Sequence, residues 1–185
     1  HPLRSLHTVP HAYHLADTPG QQQQLLANLA TTTRFCLDTE TTSLDRHQCE
    51  LLGVALAATP GEAWCLPYHD ALRPALATLL STPAEKVGHN LKFDLAVLLN
   101  HGIEAAGPFF DTMLAHALLA PEQRHTMDHL AETLLGYATV KLADLAAANP
   151  SAPEPGAQSD DLFAFAAAKR AAPELDMRSI PLPAL

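Results

Sequence analysis

Cysteine is scarce: Cys36, Cys49 and Cys65 are the only three, an odd number without a C-x-x-C pair. That excludes a disulfide framework and a zinc knuckle, and it makes a reduced, cytoplasmic setting the default expectation. No apolar run approaches the roughly 18 residues of a membrane span, so no membrane partner is expected. The N-terminus also lacks the charged-then-apolar order of a secretion signal. Basic residues are few, with 11 Lys plus Arg against 20 Asp plus Glu and a formal charge of −9. This argues against a broad basic face that holds nucleic acid, but not against a site that grips a strand end through metal ions and stacking. Gly53, Gly61, Gly88 and Gly107 form no phosphate-cradling loop, there is no G-x-S-x-G elbow, and the histidines make no H-E-x-x-H or other zinc spacing. P-loop, Rossmann and covalent hydrolase chemistry are therefore unsupported.

What is present is a globular composition, 48% hydrophobic against 17% charged, in a length that fits one domain. The first residue is His1 rather than methionine, which points to a segment of something longer. The pattern predicts a short strand at Ala12 to Leu15, a turn at Thr18-Pro19-Gly20 and a helix from Gln21 to Leu29. Strands follow at Arg34 to Asp38, Leu51 to Ala58 and Glu62 to Pro67, the last two separated by Pro60-Gly61, which predicts an antiparallel meander. Leu72, Leu76, Leu79 and Leu80 recur at helical spacing, Lys86 to Gly88 is strand-like, and Leu91 to Asn100 reads as a helix. "PFFDTMLAHALLA" and "TMDHLAETLLG" read as a strand edge followed by helices, the second with Asp128 in its first turn and Gly136 past its end. From Ala146 the chain turns rich in Ala, Pro and Ser, which predicts a loop; "DLFAFAAAKRAA" predicts one more helix and "RSIPLPAL" an extended end.

The chemistry is concentrated in two short stretches. In "FCLDTETTSL", Asp38 and Glu40 are two apart, so on a strand their carboxylates share a face at the end of the apolar run Phe35-Cys36-Leu37. Like charges that close are costly unless something positive lies between them, although D-x-E alone also fits a strand end facing solvent. In "GHNLKFD", Asn90 and Asp94 are four apart at a helix start and share a face. Leu91, Leu95 and Leu98 imply that Asp94 is buried, and a buried carboxylate needs a partner. Three carboxylates of this kind suit hard divalent cations, Mg²⁺ or Mn²⁺, which prefer oxygen ligands. Two such ions about 4 Å apart activate a water and stabilise the leaving oxygen in phosphodiester cleavage.

Together, "FCLDTETTSLD", "EKVGHNLKFDLAVLLNHGIEAAGPFFDTMLAHALL" and "RHTMDHLAETLLG" resemble the 3′-to-5′ proofreading exonuclease domain of the family A bacterial DNA polymerases, in unbroken order over roughly residues 10 to 145. The resemblance implies that Asp38, Glu40 and Asp94 are catalytic acids that ligate two divalent cations, Mg²⁺ or Mn²⁺. It implies that Leu44 wedges against the terminal base and that Asn90 contacts the substrate strand, with Thr39 and His89 also on the substrate side. His89 stands where glutamine is common. Phe93 stands where tyrosine is usual, which keeps stacking and loses a hydroxyl. Leu142 matches a second apolar wedge loosely. Asp111, in "FFDTML", matches a recurrent acid of the family, with a helix N-cap as its plainer role.

One family element is missing. The third motif, a tyrosine followed four residues later by an aspartate, does not occur, since the tyrosines are Tyr13, Tyr68 and Tyr137. "LDMRSIPLPAL" resembles the segment just before that motif, so the expectation is a chain that stops short of it; the alternative is a parent that lost it. The resulting expectation is an α/β, RNase H-like exonuclease fold with a mixed sheet, an antiparallel three-strand meander and flanking helices. Residues 1–145 form the exonuclease domain, and 146–185 form a Pro/Ala-rich loop and helix leading towards the absent motif. The expected partners are a single-stranded DNA 3′ end and the polymerase domain of the same parent chain. The alternatives are an RNA 3′ exonuclease resembling RNase D, and a non-catalytic domain that supports a polymerase.

Overall fold

A computed structural model of the chain describes residues 2–141. Leu142, the Pro/Ala-rich run, the expected helix at "DLFAFAAAKRAA" and the extended end lie outside the described residues. The order of elements is β1 (Ala12–Leu15), α1 (Pro19–Ala30), β2 (Arg34–Thr41), β3 (Leu51–Thr59), β4 (Glu62–Pro67), α2 (Arg73–Leu80), β5 (Glu85–Gly88), α3 (Leu91–Asn100), β6 (Phe109–Asp111), α4 (Thr112–Leu119) and α5 (Met127–Leu135). A 3-10 turn at Asp70–Leu72 leads into α2.

The strands form one sheet in the order β1-β4-β3-β2-β5-β6. β2, β3 and β4 pair antiparallel as the expected meander, while β5, β6 and β1 add to it in parallel. The expected mixed sheet with flanking helices is what forms, and β2 lies in its interior, paired on both sides. The core is built where the alternation of β2 turns Phe35 and Leu37 inward to meet Val54 and Leu56 of β3, Leu66 of β4, Leu76, Leu79 and Leu80 of α2, and Val97 and Leu98 of α3. Closing these side chains away from water is the main force holding helices against sheet.

Most boundaries fall within one residue of the sequence expectation, and the two larger differences each have a local reason. α1 starts at Pro19 because Thr18 caps it, its hydroxyl accepting the Gln21 amide in a reciprocal capping box, and proline is well suited to the first helical position. β2 runs on to Thr41, so Asp38 and Glu40 lie within the strand instead of at its end. Their partners on β3 hold this extension as far as a bulge between Glu40 and Thr41.

The step from β5 into α3 is tight. A Cβ on Gly88 would lie 2.4 Å from Leu91 Cδ2, 2.8 Å from its Cγ and 3.1 Å from the Leu37 carbonyl oxygen. Glycine is the residue that lets β5 approach β2 this closely and turn into the helix. Gly88→Ala is expected to cost about 1–3 kcal/mol through overpacking, read as a lower urea midpoint with unchanged slope.

Candidate active site

The site begins with the alternation of β2. Phe35, Leu37 and Thr39 turn to the buried side, while Cys36, Asp38 and Glu40 turn the other way. Asp38 pairs with Ala55 and Glu40 with Gly53, so the neighbouring strand sets only small residues beside the two acids. Asp94 arrives from the first turn of α3 and is 2% exposed.

A gap in the sheet admits Asp94. β5 pairs with β2 only from Arg34 to Cys36, which leaves the edge of β2 open beyond that point. Asp94 Oδ1 takes up the opening, accepting the Thr39 amide at 2.8 Å and the Thr39 hydroxyl at 2.7 Å. The structure thus gives the Thr39 side chain an internal partner and buries it to 7% exposure, on the side of β2 away from Asp38 and Glu40.

The three carboxylates act on one another. Burial pushes Asp38 up to about 7, with the charges of Asp94 and then Glu40 adding to the rise and the Thr39 backbone opposing it. Asp38 itself remains open to solvent. Burial, then Asp94, raises Glu40; burial raises Asp94 against the two bonds from Thr39, with Asp111 adding to the rise. Among the described residues, the ion pairs Arg34–Glu85, Arg73–Asp70 and His14–Glu62 leave all three acids out. Three raised carboxylates supply the oxygen chemistry that hard divalent cations prefer. Among the described residues, no group of three or more His, Cys, Asp or Glu side chains stands arranged to hold a metal ion, so the three acids would have to draw closer around one.

The other sequence candidates surround this group. Asn90 precedes α3 in the left-handed region, at φ 65° and ψ 42°, a conformation asparagine tolerates better than most residues, and its side chain makes no capping bond. Phe93 is half-buried against the core. Leu44 stands 48% exposed in the segment after β2; that segment is pinned where Thr42 and Glu50 exchange bonds of 3.1 and 2.9 Å. His89 is lowered by burial and bonds Thr112 through Nδ1. Its charged form gains something back from Asp111 and the His125 backbone, and the ring lines an apolar cleft of about 380 Å³ with Phe110, Leu119 and Leu130. Leu142 lies outside the described residues.

Two contributors were not legible as such. Asp111 caps α4, as its plainer role required, but it also accepts the Asn90 and Leu91 amides at the start of α3. His101 donates from Nδ1 to the Val97 carbonyl and accepts the Leu51 amide on Nε2, tying the far end of α3 to β3. The string "DT" announces a cap, whereas nothing in it announces a second helix.

Comparison with known proteins agrees with the geometry. A family model described as 3′-5′ exonuclease matches residues 13–156. The chain belongs to this 3′-5′ exonuclease family. Relatives of this exonuclease domain include DNA polymerase I of Pseudomonas aeruginosa, 38% identical over 128 residues, covering 60% of this chain and 14% of the relative. DNA polymerase I of Borreliella burgdorferi is 27% identical over 142 residues, covering 72% and 16%. The domain thus spans a small part of these relatives. Among solved structures, Brucella melitensis NrnC with bound Mg²⁺ has a TM-score of 0.59 at 25% identity, covering 74% of this chain and 66% of that one. The catalytic core of RRP6 from Trypanosoma brucei, at 0.62 and 21% identity over 78% and 40%, shares the fold, which is the expected RNase H-like exonuclease fold. No described helix is long and apolar enough to cross a membrane.

Two outcomes follow from the exonuclease geometry. In a chelator, Asp38 holds its proton in the folded chain up to about pH 7, whereas in the unfolded chain it loses the proton in the ordinary carboxylate range. Stability should therefore fall as pH rises between those points, and thermal melts should show Asp38→Asn flattening that slope. Thr39→Val should leave Asp94 with the Thr39 amide alone and cost about 1–2 kcal/mol in urea unfolding.

Proposed function

We propose that this domain trims DNA from the 3′ end as the proofreading exonuclease of a DNA polymerase I, with Asp38, Glu40 and Asp94 holding two divalent cations, Mg²⁺ or Mn²⁺. The observation that carries the reading is the electrostatic burden of the three carboxylates, which no cationic side chain among the described residues offsets. Such a group costs folding energy in the free protein and is relieved by a cation with oxygen preference. The family match and the DNA polymerase I relatives support the substrate and the parent. The Mg²⁺ in NrnC supports the cation.

The chemistry that bound cations supply is activation of a water and stabilisation of the leaving oxygen at the terminal phosphodiester. The rest belongs to the chain. Asp38 must give up its proton before it can serve as a ligand, so acid pH opposes the site. Thr39 orients Asp94 through two bonds to one carboxylate oxygen. Leu44 is exposed enough to insert beside the last base, and the Asn90 side chain, which caps no helix, would contact the strand. His89 and Phe93 would touch the strand as the family resemblance implies, with the half-buried ring of Phe93 offering a face for stacking. Leu142 is assigned to the strand through the family resemblance alone. The strand is gripped at one end, which suits a chain with formal charge −9. The polymerase part of the parent chain would deliver that end.

The test uses the full-length parent polymerase, whose nucleotide addition reports folding independently. Asp38→Ala is expected to reduce shortening of a 5′-labelled single-stranded DNA, with Mg²⁺ or Mn²⁺ present, by more than about a hundredfold while polymerisation persists. Undiminished trimming would overturn the assignment. Preferential trimming of the matching RNA would transfer it to RNA ends.

A further inference from the structure

We infer that Asp111, together with Thr112, is a positioning residue pair for the carboxylate site. The two residues clamp the segment Gly88 to Leu91 so that Asn90 and Asp94 are presented to β2. The use of the site rests on the exonuclease reading above; the clamp itself rests on hydrogen bonds.

An N-cap carboxylate serves its own helix through one or two amides of the first turn. Asp111 does this for α4, Oδ1 accepting Met113 at 2.9 Å and Leu114 at 3.3 Å. It also serves α3, Oδ1 accepting the Asn90 amide at 3.0 Å and Oδ2 the Leu91 amide at 2.8 Å. The register of the sheet permits this, because Gly88 of β5 pairs with Asp111 of β6, and both helices leave from the same ends of parallel strands. Thr112 extends the clamp. Its hydroxyl donates to the Gly88 carbonyl at 3.0 Å, so the bond of 2.9 Å to His89 must be donated by Nδ1–H. Every residue from Gly88 to Leu91 is therefore held by Asp111 or Thr112.

The clamp has a strained element to hold. A non-glycine residue in the left-handed region persists where surrounding contacts fix it, and the Asn90 amide is fixed by Asp111. The first turn of α3 is then held from both sides, by Asp111 at Asn90 and Leu91 and by Thr39 at Asp94. Releasing one side should loosen the other, because only a single helical turn separates them.

Hydrogen exchange at single amides tests this without any ligand, so its result stands whether or not the domain cleaves DNA. Asp111→Ser keeps a good cap for α4 but has one oxygen in place of two and a shorter reach. Thr126→Ala, which removes the cap of α5, is the control for a general loss of stability. In Asp111→Ser the Thr39 amide is expected to exchange at least about tenfold faster, while Val54 in β3 and the interior amides of α4 keep their rates. In Thr126→Ala the Thr39 amide should be unchanged. If Asp111→Ser fails to fold, Thr112→Val is measured with the same expectation at Thr39. Unchanged protection of Thr39, or a uniform rise across all amides, would reduce Asp111 to an ordinary cap and overturn the inference.

Discussion

Like charge brought together under partial burial is the constraint on which the rest depends. Asp38, Glu40 and Asp94 each take up protons more readily than an ordinary carboxylate because of their partial removal from water and the charge nearby, that of Asp94 on Asp38 and Glu40 and that of Asp111 on Asp94. A protein seeking stability alone would place an arginine among them or replace them with apolar residues. Among the described residues neither is found, and the ion pairs lie elsewhere. The cost is tolerable because the surrounding fold is well packed, with β2 in the interior of a six-stranded sheet. A site that is uncomfortable when free and relieved by a cation is one physical route to binding that cation.

The fold places the acids through features that have little to do with charge. β2 carries two of them on one face because it remains extended past Asp38. Small partners on β3 leave that face uncovered. The third acid reaches the group because β5 is short, because Gly88 lets the chain turn sharply beside Leu37, and because Asn90 accepts a left-handed backbone. Each feature sits at the junction of a strand and a helix, where the backbone can direct a side chain without disturbing the core.

Much of this was legible in the sequence. The alternation around "RFCLDTE" gave a strand with both acids on one side, the apolar residues around Asp94 gave its burial, and the order of strands and helices gave the mixed sheet. What could not be read depends on contacts between distant segments. Thr39 looked like one more polar residue near the substrate, and only the early end of β5 shows why its amide and hydroxyl turn to Asp94. Asp111 could be read as a cap for the helix that follows it, since capping is local in sequence; its hold on α3 follows from the register of β5 and β6. The left-handed turn at Asn90 likewise has no signature beyond the tolerance of asparagine for it.

The most direct test of the central claim is a calorimetric titration of the free protein with Mn²⁺ at pH 8, beside a variant carrying Asp38→Asn and Glu40→Gln. The account predicts binding by the native chain that weakens as the pH is lowered below 7, and none of comparable strength by the variant. Equal binding by both proteins, or none by either, would contradict it, because the crowded carboxylates would then have no cation to explain them.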